Sequence, residues 1–106
     1  RPILNAQQLF ELAERQAKVG KLKDTILYYD QIICSFRSGG DDYKAMFMKG
    51  FTQSEYMNDT QAAIITFTKF LQDFPEGDLN ADAQVMLDIL TGKTTIEIPD
   101  NIELED

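Results

Sequence analysis

Oxygen ligands at alternate positions make Asp78-Leu79-Asn80-Ala81-Asp82 the stretch of this sequence nearest to metal chemistry. The spacing is that of the start of a calcium loop. Such a loop also needs a glycine at its sixth position, to turn sharply, and a bidentate glutamate at its twelfth. Those positions hold Ala83 and Ile89, so no metal is expected here and the polar residues are read as caps of a helix. Nucleophilic chemistry meets a similar obstacle. Cys34, Ser35 and Ser38 offer a thiol and two hydroxyls, but activation requires a neighbouring base and the chain contains no histidine. Cys34 is the sole cysteine; it can form no intrachain disulfide and is expected to pack against a helix as a small residue. Asp41 and Asp42 form a carboxylate pair, yet they fall at a helix start rather than in the apolar pocket that raises a carboxyl pKa. Ser38-Gly39-Gly40 lacks the lysine of a phosphate loop. The residues therefore assign no catalytic role, no metal and no cofactor.

Charge narrows the partners. The chain carries −8 at pH 7, but the last thirteen residues, 94–106, hold five acids and no base. Residues 1–93 hold ten bases and thirteen acids, a net of −3. A near-balanced body with an acidic tail argues against nucleic acid, whose binding needs a clustered basic face to displace counterions. Anionic lipid is disfavoured for the same reason. No apolar run approaches the length of a bilayer span, so no membrane insertion by this chain is expected. Its first residue is arginine rather than methionine, as in a processed or excised chain.

The elements that carry these residues read as five helices. The first runs from about Asn5 to Val19, with Asn5 as N-cap and Gly20 as its stop, glycine entering the left-handed region freely. The second runs from about Leu22 to Phe36. After Arg37-Ser38-Gly39-Gly40, Asp41 and Asp42 are expected to cap a third helix reaching Tyr56. A turn at Asn58-Asp59 leads to a fourth, from about Thr60 to Phe74, which Pro75 ends because the residue before proline is pushed out of the α region. A fifth covers roughly Asn80 to Thr91, burying Ala83, Met86, Leu87 and Leu90, and Gly92 closes it. Short connections make consecutive helices antiparallel neighbours.

The second and fourth helices echo each other at a fixed offset of 38 residues: Ile26/Ile64, Tyr29/Phe67, Ile33/Leu71 and Phe36/Phe74. Steps of three and four put each set on one helix face. Self-similarity at this period is the mark of a helical repeat, which stacks units into an elongated core and exposes an extended surface for binding. The reading is of one domain, residues 1–93, with 94–106 as an extended acidic end in which Pro99 discourages a strand.

The second unit resembles the second helix of a tetratricopeptide repeat (TPR). Ala63, Phe67 and Pro75 match that family's small residue, the aromatic four later and the proline eight after that. Gly50 stands near the family's first-helix glycine, one residue further from Ala63 than the strict repeat has it. In the first unit Leu9, Leu12, Ala13 and Tyr29 fit, while Thr25 replaces the small alanine and Arg37 replaces the proline. The run Phe67-x-x-Phe70-Leu71-x-x-Phe74-Pro75, followed by Leu79, Ala83 and Leu87, is similar to segments of bacterial cell-envelope TPR proteins. These include the Tol–Pal-associated periplasmic type and outer-membrane assembly lipoproteins.

The resemblance implies an all-α fold, with antiparallel hairpins stacked as a short TPR-like solenoid of two repeats plus a capping fifth helix. It implies a non-catalytic protein–protein interaction module in the periplasm or cell envelope. In the family the first helix of each pair lines the concave side. That implies partner-binding positions at Gln7, Phe10 and Glu14 in the first repeat, and at Lys44, Met48, Phe51 and Glu55 in the second. The bland alternative for these positions is solvated surface, or contact with neighbouring repeats. Self-association as a homodimer through exposed apolar positions is the rival role. The tail keeps three readings: a solubilising end, a segment folded back over apolar surface, or a peptide that a partner recognises. Its Ile96, Ile98, Ile102 and Leu104 alternate with acids.

Overall fold

The computed structural model describes residues 3–37 and 39–93. Over these the chain is all-helical: α1 (Ala6–Lys18), α2 (Leu22–Ser35), α3 (Asp41–Glu55), α4 (Thr60–Asp73) and α5 (Asn80–Thr91). There is no strand among the described residues. Each helix packs on the next, so α2, α3 and α4 have neighbours on two sides. Residues 94–106, expected as an extended acidic tail, lie outside the described residues, as does Ser38 in the α2–α3 turn.

Local chemistry explains most of the helix ends. The Asn5 side chain accepts from the Gln8 N–H at 2.8 Å while Gln8 Oε1 accepts from the Asn5 N–H at 2.9 Å, a reciprocal capping box. Gly20, at φ +83°, closes α1, with its N–H donating to the Ala17 carbonyl and that of Lys21 to Gln16, as in a Schellman turn. Asp59 caps α4, accepting from the Ala62 N–H at 3.2 Å. Two expected caps differ. The N-cap of α3 is Gly40, left-handed at φ +93°; Asp41 and Asp42 lie inside the first turn, and Asp42 Oδ1 accepts from the Tyr43 N–H at 2.8 Å. Likewise α5 starts from Leu79 with no side-chain cap. The polar residues at 78–80 instead hold Tyr43, whose hydroxyl accepts the Leu79 N–H and donates to Asp78 Oδ1. The ring of Tyr43 lies so close to Gly77 that a Cβ there would meet its hydroxyl.

The 38-residue offset holds in the packed core, but in a register rotated from the expected stripe. The deepest pairs are Thr25/Ala63, Tyr29/Phe67 and Ile32/Phe70, all buried, whereas Ile26, Ile33 and Phe36 are half-buried around them. Ala45 and Ala83, also 38 apart and fully buried, do the same on α3 and α5. Burying Phe67 and Phe70 completely contributes about 2–3 kcal/mol each. Thr25 sits where a small residue is needed and satisfies its hydroxyl by donating to the carbonyls of Ala13 and Lys21 at 3.1 and 3.2 Å.

Gly50 is required by contact. A Cβ there would sit 2.9 Å from Phe67 Cε1 and Cζ, so α3 and α4 approach closely only because none is present. Gly50 and Ala13 each lie five residues before the last residue of their helix. The extra residue between Gly50 and Ala63 is taken up in the α3–α4 turn, four residues long against three for α1–α2, with Asn58 at φ +54°. Phe36 and Phe74 share one backbone conformation, φ/ψ −128°/70° and −129°/75°, although only Phe74 precedes a proline.

Candidate functional site: the α1–α3 cleft

Phe10 on α1 and Lys44 on α3 meet across a gap that no direct connection spans. The Lys44 ammonium lies 5.2 Å from the centre of the Phe10 ring, an attraction to the negative ring face. The Phe10 ring in turn packs at 6.2 Å on Tyr29 of α2. Three helices thus build one cleft: α1 and α3 form its walls, and α2, which packs on both, supplies its floor.

The cleft encloses about 560 Å³. Phe10, Glu14 and Lys18 descend one wall at steps of four, and Lys44, Met48, Thr52 and Tyr56 descend the other. A second cleft of about 690 Å³ continues it toward the N-terminal ends of the helices, sharing Phe10, Glu14 and Lys44 and adding Gln7 and Asp41. Of the seven positions assigned from sequence, Gln7, Phe10, Glu14, Lys44 and Met48 line one or both clefts. Phe51 and Glu55 line neither. The Phe51 ring stacks edge-on against Tyr56 at 6.0 Å, and Glu55, exposed, accepts from the Ser54 hydroxyl at 3.3 Å. Below Met48 the wall follows the four-residue step to Thr52 and Tyr56, not the alternating three and four taken from sequence. That unbroken step, matching Phe10–Glu14–Lys18 opposite, was the signal available for Lys18, Thr52 and Tyr56.

Electrostatics give the cleft a neutral floor and a mixed rim. Burial raises the pKa of Tyr29; the Glu14 carboxylate pushes it the same way, and a hydrogen bond with Thr52 pulls it back. The phenol therefore stays protonated, able to donate but not to carry charge. Around it stand one carboxylate, Glu14, and two ammonium groups, Lys18 and Lys44. An aromatic and thioether interior with a charged rim suits an apolar side chain flanked by polar backbone, as in a docked peptide or helix.

The other candidate groups lie apart from this cleft. Cys34, expected to be packed, is exposed on α2. Asn80 donates its amide to the Phe74 carbonyl and Asp78 accepts from Tyr43, so both are engaged in fastening α5. Among the described residues no three of the Asp, Glu and Cys side chains converge as metal ligands would. No helix among them is long and apolar enough to cross a membrane. No family model, curated protein or solved structure matches this chain.

Proposed function

We propose that this chain is a non-catalytic interaction module that presents the α1–α3 cleft, on a TPR-like stack of two hairpins and a closing helix, to a segment of a partner protein. The observation carrying this reading is the convergence of Phe10, Glu14, Lys44 and Met48 on one open cleft over the buried Tyr29. These residues come from helices that are not consecutive, as a binding surface built by stacking requires. Support for the TPR assignment comes from Ala63, Phe67 and Pro75 at the family's spacing, together with the 38-residue offset of the buried pairs. A cell-envelope location rests on the Phe67–Pro75 resemblance alone.

The test is affinity capture with the intact chain beside Lys44→Glu and Met48→Asp, with circular dichroism to verify the fold. A partner bound saturably by the parent and lost by both variants, at unchanged helicity, is the expected result. Equal capture by all three rejects the cleft as the site.

A second reading, self-association, is favoured by apolar surface elsewhere. Val85 and Ile89 on the terminal helix α5 are 53% and 61% exposed, and Leu27 and Ile65, 38 residues apart, are 60% and 67% exposed. Light scattering over a dilution series distinguishes the two, since a dimer that persists on dilution belongs to this second reading.

A further inference from the structure

The turn from α1 to α2 is the most basic part of the chain. Arg15, Lys18, Lys21 and Lys23 fall within nine residues with no acid between them, and all four are exposed. Asp24 comes directly after, and Glu55 and Asp59 stand across the α3–α4 turn, Asp59 being engaged with the Ala62 N–H. Among the described residues none of the four cations is ion-paired; the pairs present join Lys49 to Asp30 and Lys69 to Asp73. Apolar surface adjoins them. Val19 is 64% exposed and Tyr56 60%, and Tyr56 and Met57 share an open depression with Lys21 and Lys23.

Helix α5 finishes at this same end. Gln7 and Asp41 line one cleft, and Lys18 and Tyr56 the other, so α1 and α3 run parallel. Tyr43 at the start of α3 bonds to Leu79 at the start of α5, which makes α5 parallel to both. The chain therefore leaves Gly92 on the side of Val19 and Tyr56. The C-terminal segment beyond it, residues 94–106, carries five carboxylates, no base, and the aliphatic side chains of Ile96, Ile98, Ile102 and Leu104. Thirteen residues reach at most about 47 Å. From α5 the way to α1 leads past α3, which stands near enough to α1 for the Lys44 ammonium to lie 5.2 Å from the Phe10 ring.

We propose that residues 94–106 dock in cis on the α1–α2 end of the stack. Their acids face Arg15, Lys18, Lys21 and Lys23, and their aliphatic side chains cover Val19, Tyr56 and Met57. Lys18 and Tyr56 also line the α1–α3 cleft, so the docked segment borders its mouth. The test places a nitroxide spin label at Asn101→Cys in the full chain, with the exposed Cys34 changed to Ser, and reads amide signals before and after reducing the label. Expected is a selective loss of intensity at Val19, Gly20, Tyr56 and Met57 that weakens in K21E/K23E and in high salt, where screening shortens the reach of exposed charges. Loss no greater there than at Asn5 and Asp41, at the opposite end, overturns the proposal. So does a loss that survives when the spin label and the observed amides are on different molecules, because the segment then docks on a second copy.

Discussion

Adding one methyl group at Gly50 sets two effects of known sign against each other. Gly50 lies inside α3 with ordinary helical geometry, so alanine would gain about 1 kcal/mol of helix propensity. Against this, the new Cβ would stand 2.9 Å from two carbons of the Phe67 ring and 3.1 Å from a third. Phe67 is fully buried, and the Phe47 ring, also from α3, packs edge-on against it at 5.8 Å. A ring that cannot retreat puts the overpacking cost near the upper part of its usual range, about 2–3 kcal/mol. The net expectation for Gly50→Ala is destabilisation by about 1–2 kcal/mol, or roughly 5–15 °C in Tm for a domain of this size. Thermal unfolding followed by circular dichroism measures it. A companion variant, Phe67→Leu, removes the ring atoms concerned, and the double variant should be more stable than the sum of the singles by at least about 0.5 kcal/mol. A Gly50→Ala protein that melts higher than the parent would refute the close α3–α4 approach.

Thr66→Val should destabilise by about 1–3 kcal/mol in urea titrations, because the buried Gln53 side chain would lose its partner; the Thr66 hydroxyl donates to Gln53 Oε1 at 2.6 Å. Thr66→Ser, which keeps the hydroxyl, should lose less, and equal losses would mean that the hydrogen bond contributes nothing. Alkali should also weaken the fold. Burial raises the pKa of both Tyr29 and Tyr43 above the ordinary 10.0. Their contribution is complete below that value and is lost as pH rises through the folded-state pKa, since the unfolded chain releases those protons first. Thermal melts between about pH 8 and pH 11 should fall less steeply for Tyr29→Phe than for the parent, and parallel slopes would exclude Tyr29 as a source.

The helix ends written into a few consecutive residues were legible without any structure. Asn5, Gly20, Pro75 and Gly92 act through backbone geometry and hydrogen bonds within one turn, so their effect does not depend on the rest of the chain. The same holds for the 38-residue echo, which any face-by-face comparison of the helices exposes. Which members of the echo lie deepest was another matter. A helix packed on two sides buries the arc between its neighbours, and for α2 that arc centres on Thr25, Tyr29 and Ile32 rather than on its most apolar stripe. The cap of α3 likewise passed from Asp41 and Asp42 to Gly40, whose φ of +93° is a backbone conformation open to glycine.

The cleft shows the division most clearly. Sequence periodicity could place Phe10 and Glu14 on one face of α1, and Lys44 and Met48 on one face of α3, because those faces are properties of single helices. Whether the two faces look at each other depends on how α2 rotates α1 and α3 against itself, a long-range relation that no local pattern encodes. The choice of Thr52 and Tyr56 over Phe51 and Glu55 came from that rotation. So did the burial of Tyr29 beneath Phe10, which turns an apolar core position into the floor of a candidate binding site.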